Sequence, residues 1–561
     1  MKKKVVINVN PAEKFKDHWN IKDSKLYLMP IVITLVLGAV VFWFAIPAVS
    51  LKSVGFWIYI LNLICIYTLV KTVYCSAKQY EYQLKVPVLA GTVIFCLMLG
   101  LMFADSRIFH AKKYSEILKV SDDTIEIIPS VSGSSSIALM DTASAERLGD
   151  RRIGSLSEVV SQFNVGSYMQ INYQETPVKV APLRYDGFFK WMSNQENGIP
   201  GYVIVNPVNM SADYKSLNNG MFYVPSAYFT KDLARHVRFN YPFDMIENLH
   251  FEIDEEGNPW YVGSVIDHTI GLFGGKTVTG AVVINPLTGE TTKYSISEVP
   301  AWVDVVFDGD LICEKYNDYA QLKHGFLNSL FAQTDCRQVT TIKKEDEDGD
   351  TEIYPDYGYI AKDNDIWIYT GVTSVNGDSS NLGFILANER TAETRYIPCA
   401  GADEFSGMKS AEGEVQEKGY TASFPSLINV DNTPTYIMVL KDNNNLVKMY
   451  AAVNVEQYNI VSTAVTQKEC IEKYKMLLTG DISSNSEDVQ IVDPDTFTAK
   501  TITIARIRTI DQNGNTYIYI VDENQNIYSA KYADVLGMLL VEEGDTITIM
   551  TDGSSFLLPQ E

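Results

Sequence analysis

Residues 270–277 read Ile-Gly-Leu-Phe-Gly-Gly-Lys-Thr, and their last three, Gly275, Lys276 and Thr277, end as a phosphate-binding loop ends. In such a loop backbone N–H groups and a lysine cradle phosphate oxygens. Here the first glycine, Gly271, stands one residue too late, and Val278–Ile284 favour a strand where phosphate needs a helix N-terminus. The segment is expected to be a glycine-rich β-turn. Gly377, Ser379 and Asn381 miss the nucleophile elbow, which requires glycine at the last position and a helix after it. The histidines His110, His236, His250, His268 and His324 are scattered, without an HExxH or paired-ligand spacing. Calcium takes oxygens from closely spaced carboxylates. Asp346, Asp348, Asp350 and Glu352 are the candidates for it, although the bidentate glutamate of a helix-loop-helix site is missing and a solvated hairpin tip is the preferred reading of the run. Asp254-Glu-Glu-Gly257 is a similar acidic turn. No catalytic or cofactor-binding residue is assigned by spacing, and no cofactor is expected.

Whatever carries function must be positioned by the elements around these residues, beginning with three apolar stretches at Leu26–Ala48, Val54–Tyr74 and Val86–Ala104. Each approaches the ~20 residues that a helix needs to cross a bilayer. The first is too long, and too closely followed by two more, to be a cleaved signal peptide. Lysines set the expected orientation, because positive flanks stay in the cytoplasm. Lys2, Lys3, Lys4, Lys14, Lys16, Lys22 and Lys25 precede the first stretch, and Lys71, Lys78 and Lys85 flank the loop between the second and third. Between the first two stands only Lys52. The N-terminus is therefore expected inside and everything after about Asp105 outside, with Arg107, Lys112 and Lys113 running against the rule. Within the stretches Lys71 is the ionisable group, near a helix end where it can snorkel, so an anchor is expected rather than a transport path. Trp43 and Trp57 suit the interfacial belt.

The 561-residue chain carries 46 Lys+Arg against 69 Asp+Glu, and the imbalance lies almost wholly after residue 104. A surface so acidic repels phosphate backbones and excludes nucleic acid as a partner. Of seven cysteines, Cys65, Cys75 and Cys96 lie in or beside the apolar stretches; Cys313, Cys336, Cys399 and Cys470 are far apart and show no CxxC spacing. Buried small apolar residues are expected there rather than a zinc site or a dense disulfide framework.

An internal match organises the long remainder. Gly201-Tyr-Val-Ile-Val-Asn206, Gly280-Ala-Val-Val-Ile-Asn285 and Gly383-Phe-Ile-Leu-Ala-Asn388 share a glycine, four mainly apolar residues and an asparagine, and Met449–Asn454 repeats them without the glycine. Such a run reads as a buried strand entering a tight turn. Aromatic strands precede several copies at Trp260–Val262, Trp367–Tyr369 and Tyr436–Met438. Helical stretches follow, one starting near Pro300 and one at Thr466–Leu478, so the expected unit is strand, strand, helix. The second copy, from Gly257 through Asn285 to Thr288-Gly-Glu290, resembles the PepSY-type module of bacterial envelope proteins, with Asn285 and Pro286 in place of the usual Asp and Ala. That resemblance implies a non-catalytic binding or inhibitory role. The whole arrangement also resembles a group of uncharacterised multi-pass bacterial membrane proteins, which implies no activity.

Beyond a polar linker at 481–488, short β-branched and aromatic segments at Thr501–Ile510, Thr516–Val521, Asn526–Ala530 and Thr546–Met550 predict a small barrel similar in outline to an OB-fold. Its acidity argues for packing or protein contact. The expected architecture is a cytoplasmic tail (1–25), a three-helix transmembrane anchor (26–104), an extracytoplasmic α+β region of repeated strand-strand-helix units (105–480) and a small β-barrel (489–556). The expected function is binding, scaffolding or regulation at the cell envelope of a bacterial plasma membrane, with the lipid bilayer and a protein as partners. The alternatives are an extracytoplasmic enzyme such as a cell-wall hydrolase, or an accessory subunit of a membrane complex.

Overall fold

A computed structural model describes residues 21–77, 85–130, 139, 142–345, 351–376, 380–479, 498–512, 515–551 and 556–558. The chain divides into two compact units, Met1–Asp481 and Ile482–Glu561.

The first unit begins with three long apolar helices, α1 (Ile21–Ala45), α2 (Val54–Ala77) and α3 (Lys85–Ala104). The protein covers little of them: 17 %, 0 % and 11 % of their apolar windows are buried. Helices this apolar and this bare have length and composition enough to cross a membrane. A side chain at Gly38 of α1 would meet Leu63 of α2 at 2.4 Å, so glycine permits that close approach.

The C-terminal end of α1, the following loop and the C-terminal end of α3 all bear on the folded body. The Val49 N–H donates to the Pro242 carbonyl (2.8 Å), and Lys52 pairs with Asp267 (2.7 Å). Asp105, just after α3, accepts from the N–H groups of Leu272 and Phe273 at 2.8 and 3.1 Å. This is the glycine-rich segment, and it is indeed a β-turn. Gly271 has a φ of +59°, and a Cβ there would lie 1.9 Å from Asp105 Oδ1. The glycine lets a carboxylate, not a phosphate, dock against the turn. A short helix α4 (Arg107–Ser115) follows, its Arg107 held by Glu314 (2.6 Å) and Asp318 (2.5 Å). Arg107, which runs against the lysine rule, is thus neutralised by carboxylates of the body.

After α5 (Thr142–Gly154) the body is built on four antiparallel meanders. The first comprises β1 (Met169–Tyr173), β2 (Thr176–Tyr185), β3 (Ile199–Asn206) and β4 (Ser211–Met221). After α6 (Leu233–Asn240) the second comprises β5 (Met245–Ile253), β6 (Pro259–Ile270), β7 (Gly274–Ile284) and β8 (Thr291–Ser295). After α7 (Gly309–Leu322) the third comprises β9 (Gly358–Lys362), β10 (Asp365–Ser374), β11 (Ser380–Asn388) and β12 (Thr394–Ala402). After α8 (Glu404–Glu414) the fourth comprises β13 (Ser426–Val430), β14 (Thr433–Lys441), β15 (Val447–Asn454) and β16 (Val461–Ala464), and α9 (Gln467–Thr479) closes the unit. Short strands extend the sheets, among them Val120–Asp122, which runs parallel to β12.

All four Asn-ended runs occupy the third strand of a meander, and the aromatic strands are the second. Side chains alternate between two apolar clusters. Val282 and Ile284 of β7 pack with the first sheet, whereas Ala281 and Val283 pack with β10, β11 and α7. On the third sheet Ile385 and Ala387 share that second cluster, while Phe384 and Leu386 pack with Tyr436, Met438, Ala451 and Val453 of the fourth. Strands buried on both faces must be apolar at every position, which is why the runs are continuous rather than alternating.

The terminal asparagines close the turns. Asn206 Oδ1 accepts from the N–H groups of Val208 and Asn209, Asn285 Oδ1 from Leu287 and Thr288, Asn388 Oδ1 from Arg390 and Thr391, and Asn454 Oδ1 from Gln457, all at 2.7–3.2 Å. An asparagine side chain mimicking the backbone in this way is the reason for that residue type there. The structure also adjusts the expected unit. Each meander has four strands rather than two, and Pro300 starts no helix: residues 303–307 are buried and irregular, and α7 begins at Gly309.

The second unit is a five-stranded, nearly closed sheet in the order β19-β18-β17-β20-β21, with β17 (Thr498–Gln512), β18 (Asn515–Asp522), β19 (Ile527–Lys531), β20 (Thr546–Thr551) and β21 (Phe556–Leu557). Its first half of β17 pairs with β20 and its second half with β18, across an irregularity at Ile504–Arg506. One long bent strand thus serves both sides of a barrel-like sheet.

Candidate functional site

Where the first three sheets meet, polar groups are buried and linked in one chain. Strand β5 carries His250 and Glu252 at alternate positions, hence on one face, and Asp254 follows its end. Glu252 is wholly buried: its Oε2 accepts from the Asp304 N–H (2.9 Å), and its Oε1 from the Val305 N–H (3.0 Å) and lies 2.7 Å from His250 Nε2. Asp304, 1 % exposed, accepts in turn from the Asn172 N–H of β1 at 2.6 Å. The Asn172 side-chain amide donates to Asn364 Oδ1 in the β9–β10 turn (2.7 Å). One residue on, Asp365 receives Asn388 Nδ2 (2.8 Å) and a bidentate clamp from Arg390 at 2.9 and 2.6 Å.

Burial raises the proton affinity of Asp304 well above the carboxylate range, and the neighbouring charge of Glu252 adds to it. Glu389 is raised in the same way, by burial first and then by Asp308 and Glu252; its backbone carbonyl accepts from Val306 and Phe307, while its Oε2 has no hydrogen-bond partner. At the start of α8 Glu404 is pushed up to about 7 by burial, against the N–H of Gly371 on the third sheet. These are buried carboxyl groups; Asp304 and Glu404 each have one oxygen bound to a backbone amide. They can hold a proton and fix strand positions. Glu252 and Asp304 are 0 % and 1 % exposed.

Above the Asn172–Asn364 contact lies an open cleft of about 320 Å³, lined by Asn172, Glu175, Ala361, Lys362, Asp363 and Asn364. It offers amide, ammonium and carboxylate groups, a mixed set suited to hydrogen-bonding a polar ligand. A second opening, of about 390 Å³, lies between the segment at Asp123–Ile125 and the turn at Asn432–Pro434.

The residues singled out by spacing fall elsewhere. Asp346, Asp348 and Asp350 lie outside the described residues, as does Ser379; Glu352 belongs to the short hairpin Thr341–Glu345/Thr351–Pro355. The carboxylate of Asp254 is consumed locally, accepting from the N–H groups of Glu256 and Asn258, from Asn258 Nδ2 and from Trp260 Nε1 at 2.8–3.1 Å. Among the described residues no group of three or more His, Cys, Asp or Glu is arranged to hold a metal. His236 bonds to the Gly289 carbonyl (2.7 Å), and His324 lies 3.6 Å from Asp335. All seven cysteines are free thiols, and the four in the body are buried. The His250–Glu252–Asp304 chain was not anticipated. Its signal in the sequence is the alternation His250-Phe-Glu252-Ile-Asp254, polar residues interleaved with apolar Phe251 and Ile253.

No family model and no curated protein matches this chain. Among solved structures it is similar to the Bombyx mori GH32 beta-fructofuranosidase BmSUC1, at 10 % identity over 73 % of this chain and 68 % of that one, with a TM-score of 0.17. It is also similar to BT0996, solved as an RGII complex, at 8 % identity over 74 % of this protein and 93 % of that one, with a TM-score of 0.14. Likenesses this loose carry no inference about fold or activity.

Proposed function

We propose that this is a non-catalytic membrane protein whose folded body binds or scaffolds a polar ligand or protein at the outer face of a bacterial plasma membrane. The observation that carries this reading is the enclosure of the paired carboxylates Glu252 and Asp304, 0 % and 1 % exposed, whereas the open cleft at Asn172 and Asn364 is lined by amide, ammonium and carboxylate groups. Hydrolysis by two carboxyl groups requires both to face the scissile bond. In this reading α1–α3 span the bilayer with the N-terminus in the cytoplasm, and the four meanders are copies of one repeated unit stacked face to face. Met210, which touches both the first cluster and the α9 side of the fourth sheet, brings the series back toward its start. The PepSY likeness of residues 257–290 points the same way, toward binding or inhibition rather than turnover.

The test is to probe full-length protein in detergent against glycan and peptide arrays, beside the double variant Asn172→Ala/Lys362→Ala. A ligand whose signal falls at least about tenfold in the variant, without product release, is expected; such a loss corresponds to about 1.4 kcal/mol or more. Turnover of any array substrate that Asp304→Asn abolishes would overturn the proposal.

A further inference from the structure

Two groups of exposed large apolar side chains of the body lie beside the ends of the long helices. The first lies by the end of α1. Phe239 of α6 packs on Trp43 (5.9 Å between rings) and Phe42 (6.5 Å), and Arg238 donates to the Ile46 carbonyl. The Arg235 guanidinium sits 4.7 Å from the Trp43 ring and donates to the Phe229 carbonyl at 2.7 Å. Phe229 in turn joins Phe188, Trp191 and Tyr228 in one aromatic cluster, and Phe189 stacks on its edge at 5.7 Å from Phe188. In this group Phe189 is 76 % exposed, and Phe243, next to the Pro242 that receives Val49, is 71 %.

The second patch lies by the end of α3. Phe103 of α3 stacks on Phe109 of α4 (5.2 Å), and α4 packs on α7 through Ala111, Tyr114 and Leu322 with Phe326. The chain then turns out Leu327, Leu330 and Phe331, the last 80 % exposed.

A water-soluble surface rarely leaves so much contiguous apolar area uncovered, and such patches mark interaction sites. The occupant is fixed by position. Both patches continue directly from helix ends where Trp43 and Phe103 stand, the level at which aromatic residues meet lipid headgroups. Lys190, Lys231, Arg235 and Arg238 border the first patch, and Lys112 and Lys113 lie on α4 by the second, on a body otherwise strongly acidic. Apolar tips flanked by cations are the composition of an interfacial lipid-binding surface. We infer that these two patches dip into the leaflet that receives α1 and α3, so that the body rests on the membrane at two points on either side of the helix bundle. This rests on the reading of α1–α3 as membrane spans.

A photoreactive benzophenone analogue of phenylalanine is placed singly at Leu35, Phe189, Phe331 or Tyr458 of the full-length protein, which is reconstituted in vesicles of zwitterionic and anionic phospholipid carrying a biotin-tagged lipid. After illumination, lipid adducts are expected at 35, 189 and 331, at least about tenfold above those at 458 on the fourth sheet. Adducts at 35 with none above the 458 level at 189 and 331 overturn the two-point contact while leaving the spans standing. Absence of adducts at 35 overturns the membrane reading itself.

Discussion

The second and third sheets bury acidic groups a few residues apart in space and neutralise them differently. Asp365 of the third is met by a full opposite charge, the bidentate Arg390, with Asn388 filling a further lone pair. Glu252 and Asp304 of the second are met by backbone N–H groups of Asp304, Val305 and Asn172 and by the His250 ring. A guanidinium cancels charge outright, whereas amide dipoles stabilise it only in part, so the second arrangement stores proton affinity and the first stores rigidity. Burial pushes Asp304 above the carboxylate range, and the neighbouring charge of Glu252 adds to it while the Asn172 N–H opposes it.

The largest expected effect comes from removing the counter-charge. Arg390→Ala leaves Asp365 unpaired and nearly buried, and destabilises the first unit by about 3 kcal/mol near neutral pH. The denaturation midpoint of the full-length protein in detergent measures it, and an unchanged midpoint would mean that the third sheet, like the second, relies on dipoles alone. Glu252→Gln is expected to cost somewhat less, about 2 kcal/mol, because the amide's NH2 must face either the Asp304 or the Val305 N–H where an oxygen stood. Equal stability of this variant would contradict the backbone-clasp account of Glu252.

The smallest effect is read by pH at Glu389, the buried carboxyl beside Arg390 in the turn after β11. Burial keeps Glu389 protonated to a higher pH in the folded chain than in the unfolded one, where a glutamate titrates near about 4.3. The folded state therefore binds more protons above that value, and stability falls as pH rises toward the raised folded value. Glu389→Gln removes the falling slope, so the variant gains about 1 kcal/mol over the parent in mildly alkaline buffer and nothing in acid. A gain of the same size at both pH values would place its origin in packing instead.

Much of the scaffold was legible from residue types. The apolar helices and the Asn-ended strands stood out because their causes are local: a bare apolar length in the first case, and in the second a strand buried on both faces that ends in an asparagine-capped turn. The glycine-rich segment at 270–277 was readable as a turn from its β-branched continuation. The number of strands per sheet was not, because outer strands such as Ser211–Met221 are largely polar and exposed and read as loop. The helix start was misplaced because the N–H groups of Asp304–Phe307 are taken by the Glu252 carboxylate and the Glu389 carbonyl, partners far along the chain. The buried acidic chain was hidden for the same reason. Asn172 and Asp304 are 132 residues apart, and nothing in either neighbourhood announces the other.

The proposed arrangement, an acidic body held outside the bilayer by three helices, is tested most directly by protease added to intact spheroplasts that express the full-length protein. Digestion of the region after residue 105 without lysis, leaving a protected fragment that contains α1–α3, is the predicted result. A body untouched until the membrane is broken, and then digested readily, would contradict it.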